Sequence, residues 1–258
     1  MKFAVLASSS KGNCTYLQAG ATKLLVDAGT SWLNIRRLLS GIGADANALD
    51  GIVVTHDHVD HVSALCSAQK RRAVPVYATA GTVEAVCETN PGAEDWPWVV
   101  IGAGEPFQVG ETEISPFSVP HDAGDPVGYV VRHGDAKLGF ATDLGEATLP
   151  VRLALADCDA LALEFNHEKR MLMDSARPWS LKQRICGRSG HLSNEQAADL
   201  LSLVATPRLK HLVPMHLSAE CNTPEAAMAA ARAVLLDRGL PLSVLVAPVC
   251  PTAVLEIP

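Results

Sequence analysis

A chain of 258 residues, 48% hydrophobic and 19% charged, has enough apolar material for a full core and does not match disordered or fibrous profiles. Its formal net charge of −7 argues against a broad basic face for nucleic acid, but not against a narrow site where bound cations meet phosphates. No apolar run is long enough for a transmembrane helix, and the seven scattered cysteines contain no C-x-x-C pair, so reduced thiols and a cytoplasmic location are expected.

In chain order, Phe3–Ala7 is too short an apolar run for a signal peptide and reads as a first strand. Thr15–Ala19 and Lys23–Val26 continue a hairpin-rich opening, and Ser31–Leu39 reads as a helix stopped by Gly41. Gly51–Thr55 is a buried strand. Ser63–Arg72 follows as a helix, Val74–Tyr77 as a strand and Thr82–Glu88 as a helix. Strands are predicted at Val99–Ile101, Glu113–Val119, Pro126–Arg132, Lys137–Thr142, Ala160–Phe165 and Leu209–Met215. Ser193 and Gln196 form an S-x-x-Q capping box, and Thr223-Pro224-Glu225 opens a last long helix closed by Gly239. Leu242–Val246 and Ala253–Ile257 read as closing strands. Two β-sheets between outer helices fit this α/β inventory, with residues 1–258 read as one domain.

The strongest chemical signal is Thr55-His56-Asp57-His58-Val59-Asp60-His61, which holds three of the nine histidines within six residues. Just past a strand, alternate residues point the same way, so His56 and His58 can reach a common ion. Asp60 and His61 are adjacent and need a turn before both can face a second ion. Imidazole with carboxylate suits Zn²⁺, and also Mn²⁺ or Fe²⁺.

This run resembles the H-x-H-x-D-H hallmark of the metallo-β-lactamase superfamily. Leu25-Val26-Asp27-Ala28-Gly29 resembles the family's first motif; Asp27 reads either as support for the metal loop or as a turn former before glycine. His121, Asp143 and His216 stand at the positions of later family ligands. The resemblance implies one metal held by His56, His58, His121 and Asp143, and another by Asp60, His61, Asp143 and His216. Further blocks resemble the YycJ/WalJ-like branch: Ala7–Tyr16, Glu164–Glu168, Pro178–Ile185, Gly190–Glu195 and His216–Pro224, the last with Cys221 where asparagine is usual. Membership implies a four-layer αβ/βα sandwich and an exonuclease-type activity on DNA.

Two divalent ions roughly 3.5–4 Å apart can hold a bridging hydroxide that is nucleophilic near neutral pH. Asp60 is expected to orient it, and either His167 or His191 to face the pocket, where it binds phosphate or protonates the leaving group; both also read as structural histidines. The loop Ser8–Asn13, with Ser9, Ser10 and Asn13 as candidate contacts, reads as a cradle for a terminal phosphate or as an ordinary hairpin turn. Lys182 and Arg184, with Arg188, read as a nucleic-acid contact or as a solvated face. Two other functions compete: hydrolysis of lactones, thioesters or other small esters, which predicts an apolar pocket, and a non-catalytic regulatory role, which the complete ligand set opposes. Nucleases of the family with a large inserted cap are set aside, because only 72 residues separate Asp143 from His216.

Overall fold

The computed structural model describes residues 1–258. The first half runs β1 (Lys2–Ala7), β2 (Cys14–Ala19), β3 (Thr22–Val26), α1 (Trp32–Gly41), β4 (Gly51–Val53), α2 (Val59–Val62), α3 (Leu65–Gln69), β5 (Val76–Thr79), α4 (Ala80–Thr89) and β6 (Trp98–Ile101). The second half runs β7 (Phe107–Val109), β8 (Thr112–Ser118), β9 (Val127–His133), β10 (Ala136–Ala141), α5 (Leu149–Leu155), β11 (Ala160–Glu164), α6 (Lys169–Asp174), α7 (Trp179–Ile185), α8 (Asn194–Val204), β12 (His211–Met215), α9 (Pro224–Asp237) and β13 (Leu255–Glu256).

Strand periodicity builds the layers. Phe3 and Val5 point into one cluster while Ala4 and Leu6 point into another; Ala160 and Ala162 likewise part from Leu161 and Leu163. The inner faces meet in a core that includes Leu24, Val53, Ile114, Tyr129, Phe140 and Val213. The outer face of the seven-stranded sheet, ordered β13-β1-β2-β3-β4-β5-β6, packs on Ile35, Leu39 and Leu65 of the flanking helices. The six-stranded sheet, ordered β12-β11-β10-β9-β8-β7, packs on Leu155, Leu200, Leu201 and Leu235. This is the expected αβ/βα sandwich.

The pairing directions gather the site at one end. β3 and β4 are parallel, so Asp27 and the His56–His61 loop leave the first sheet together. In the second sheet β10, β11 and β12 are parallel, and β8 runs the same way through two antiparallel pairings with β9. The C-terminal ends of β8, β10, β11 and β12 therefore share one end of that sheet.

Several elements differ from expectation. The helix predicted at Ser63–Arg72 begins inside the histidine motif as α2 and breaks before α3. That earlier start supplies the turn which Asp60 and His61 required. The closing strand predicted at Leu242–Val246 is a 3-10 turn at Leu242–Val244, and the one predicted at Ala253–Ile257 shortens to β13. Pro241, Pro248 and Pro251 remove ladder donors there. Short β7 and helices α5, α6 and α7 were not anticipated.

Candidate metal centre

Five imidazoles converge, and each is aimed by what its outer nitrogen touches. His56 Nδ1 lies 3.0 Å from Thr55 Oγ1, and His61 Nδ1 lies 2.8 Å from Asp27 Oδ2. His58 Nε2 lies 3.2 Å from the Asp122 carbonyl and His121 Nδ1 lies 3.1 Å from that of Gly190. His216 Nδ1 lies 3.0 Å from Glu164 Oε1. Every ring thus turns its other nitrogen inward, the orientation that metal-ligating histidines take from outer partners.

The inward atoms form two groups, His56 with His58 and His121, and Asp60 with His61 and His216, within 4.8 Å in each case. Asp143 stands between them, 3.2 Å from His61 Nε2, 3.7 Å from His121 Nε2 and 3.6 Å from His216 Nε2. His56 Nε2, Asp143 Oδ2 and His216 Nε2 are buried without any hydrogen-bond partner. Such orphaned atoms are costly unless something binds them, and an N/O donor set of this kind fits divalent cations. Burial opposes ionisation of Asp143, yet neighbouring His216 and His61 hold its carboxyl well below the usual carboxylate range.

The backbone contributes to the aim. Asp27, Asp143 and His216 have φ of 61°, 55° and 55°, in the left-handed region, so each strand turns sharply as it delivers its side chain. Asp27 also accepts from Thr55 N at 2.8 Å, tying the first strand end to the motif. Gly29 lies against the Asp60 carbonyl so closely that a Cβ would come within 1.5 Å of its oxygen, which leaves room only for glycine.

Of the two candidate histidines, His191 borders the cavity beside the cluster, with Nδ1 2.9 Å from Glu164 Oε1 and Nε2 without a protein partner. Burial lowers its pKa, but the Glu164 carboxylate outweighs this and raises it. His167 is revised to a structural residue. Its side chain is buried and its Nε2 faces Cys186 Sγ at 3.9 Å. Burial pushes its pKa down to about 4.

A pH dependence follows. The unfolded state takes up a proton below its ordinary value near 6.5 while folded His167 stays neutral until about 4. The stability it contributes is therefore complete above pH ~6.5 and falls as pH drops towards about 4, by about 3 kcal/mol in all. In metal-stripped protein, His167→Gln should flatten urea-measured stability across that interval; a slope equal to wild type would refute the assignment.

The other expected substrate contacts divide. Ser10 and Arg184 line the cavity beside His191. Ser9 turns to a separate groove with Asn34 and Arg37. Asn13 is buried, with Nδ2 3.2 Å from Asp60 Oδ2 and 3.0 Å from His61 Nε2, so it steadies the cluster rather than reaching substrate. Lys182 is also revised. Its Nζ donates to the carbonyls of Met173 and Ser175 at 2.6 and 2.7 Å, joining α7 to the end of α6. Arg188 pairs with Glu146 at 2.7 Å.

Sequence reasoning gave no role to Glu164 or Arg177, quoted Thr55 only as the start of the motif, and placed Ser8 in the candidate phosphate loop, whereas its Oγ accepts from His216 N at 2.7 Å. Glu164 stands fully buried at the end of an apolar strand, and a lone acid in that position was the available signal.

A family model described as "Beta-lactamase superfamily domain" matches residues 22–217. The chain is 34% identical to "Exodeoxyribonuclease YycJ" of Bacillus anthracis over 93% of this chain and 90% of that protein. The chain belongs to the metallo-β-lactamase superfamily, in its YycJ/WalJ-like branch. A second member of the branch, "Exodeoxyribonuclease WalJ" of Streptococcus pneumoniae, is 32% identical over 88% of this chain and 85% of its own length. The crystal structure of the metallo-β-lactamase fold protein YhfI from Bacillus subtilis superposes with a TM-score of 0.75 and 16% identity, covering 99% of each chain. The two donor groups lie where the two sheets deliver their strand ends. No helix is long and apolar enough to cross a membrane.

Proposed function

We propose that the chain is a metal-dependent phosphodiesterase that degrades DNA in the manner of an exonuclease. His56, His58, His121 and Asp143 would hold one divalent ion and Asp60, His61, Asp143 and His216 another. The histidine-rich set favours Zn²⁺, with Mn²⁺ or Fe²⁺ as alternatives. When bound, the two cations neutralise developing phosphoryl charge and make water nucleophilic. Asp60, reaching the cluster from one side, orients the attacking water. His191 Nε2 gives a proton to the leaving oxygen, while Glu164 fixes its ring through Nδ1. We place the enzyme in the cytoplasm, with all 258 residues in one domain.

The observation that carries this reading is the cavity beside His191, which holds Arg177 and Arg184 and has only Leu181 and Ile185 as apolar walls. A lactone or thioester hydrolase needs a mainly apolar pocket. The names of the relatives agree with a DNA substrate. Charge is also placed favourably: Glu168 to Arg188 carries six basic and two acidic residues in a chain of net charge −7.

The test is an activity panel of DNA, RNA, lactones and thioesters on metal-stripped protein reloaded with Zn²⁺, Mn²⁺ or Fe²⁺. Progressive shortening of DNA is expected. Turnover of lactones or thioesters alone would overturn the nuclease reading, and metal content near zero would favour a non-catalytic protein.

A further inference from the structure

The cavity that adjoins His191 has a volume of about 200 Å³ and lies between the Ser8–Asn13 loop, α7 and the turn after β12. Its polar groups are unevenly used. Arg177 bonds Glu220 at 3.1 Å and Arg184 bonds Asp122 at 2.5 Å, both through Nε alone. The terminal amino groups of the two guanidiniums have no protein partner. Ser10 Oγ has none either, and Ser218 Oγ accepts from Cys221 N at 3.2 Å with its own proton uncommitted. Asp122 is the one carboxylate in the lining, and Arg184 already neutralises it.

A site with four free donor groups, two of them guanidiniums, and no free acceptor charge is built for an oxyanion. Asp122 and Glu220 hold the guanidiniums in place by one edge, which leaves their outer edges set for bidentate contact. Two guanidinium charges and two hydroxyls match the three free oxygens and roughly −2 charge of a phosphomonoester, whereas an internal diester offers two free oxygens and a single charge.

We propose that this cavity binds the terminal phosphomonoester of a nucleic-acid strand, with Arg177, Arg184, Ser10 and Ser218 as its donors. The inference rests on the phosphodiesterase reading and deepens it: the terminal phosphate sets how far the strand enters, and so which linkage reaches His191 and the metal ligands. An end lacking that phosphate loses the charged contacts and registers poorly.

Binding is measured by fluorescence anisotropy on metal-stripped protein, so that no turnover is needed. The probes are one oligonucleotide with a 5′-phosphate, a 3′-phosphate or hydroxyls at both ends. One phosphorylated end should bind about tenfold or more tighter than the hydroxyl-ended strand. The double variant Arg177→Ala with Arg184→Ala should lose that preference, and the double lysine variant should keep only part of it. Should the alanine pair not fold, Ser10→Ala with Ser218→Ala must still reduce the preference. Equal affinity for all three ends, or an unchanged preference in the folded variants, overturns the proposal. DNA shortened at equal rates whatever its end refutes this inference and leaves the nuclease reading intact; absence of any DNA turnover alongside a clear end preference does the reverse.

Discussion

Replacing Asp143 by asparagine is expected to cut DNA turnover by about 10³-fold and to remove the rise in thermal stability on metal loading. Asp143 is the one carboxylate that pairs with histidines of both donor groups, with contacts of 3.2 Å to His61 and 3.7 Å to His121. Asparagine keeps its shape and tolerates the same left-handed backbone, φ 55°, so the strand end survives. What changes is one negative charge among several imidazoles. Cations held by five neutral histidines and Asp60 alone would lack the anion nearest both donor groups, and the amide would present N–H donors to positive ions. The check is metal content by elemental analysis beside melting temperature with and without metal. Wild-type metal content together with wild-type turnover would remove Asp143 from the centre.

The layered sandwich was readable because its strands carry period-two apolar patterns and its longer helices carry capping signals. Ser193 with Gln196 makes the expected capping box, and Thr223 caps the helix at Pro224. The histidine motif was readable because its ligands are local. His121, Asp143 and His216 were reached through resemblance, since a lone histidine or aspartate past a strand carries no sign of its distant partners. Helices α6 and α7 escaped because they are only six and seven residues long, too short for an apolar face to repeat. The same blindness misassigned Lys182. A lysine among arginines looks like a basic patch, and only the fold shows that it ends a helix by binding two carbonyls. Arg177 went unremarked because its role depends on a cavity made from three separate segments.

Glu164→Gln is the second change with a large expected effect, and its logic is one of lone pairs. Glu164 Oε2 accepts from Leu144 N and Leu192 N, both at 3.0 Å, while Oε1 faces His191 Nδ1 at 2.9 Å and His216 Nδ1 at 3.0 Å. All four partners donate. Burial would raise this carboxyl, but the charge of His191 and hydrogen bonds from His191 and His216 hold it at about 2, so it stays ionised. Glutamine supplies one oxygen and one NH₂, so whichever way it turns, one donor pair meets another. Facing the backbone pair, the amide costs folding stability of about 2–5 kcal/mol, as for a broken buried charge network. Facing the histidines, it lets the His216 ring turn and frees His191, which should weaken metal binding about 10–100-fold and lower turnover beyond that loss. Both orientations are damaging, and a simple cavity would not mimic them. Urea unfolding of metal-stripped protein measures the first, and metal titration with turnover at saturating metal measures the second. A variant that matches wild type in stability, metal affinity and saturated turnover would show that Glu164 neither anchors His216 nor positions His191.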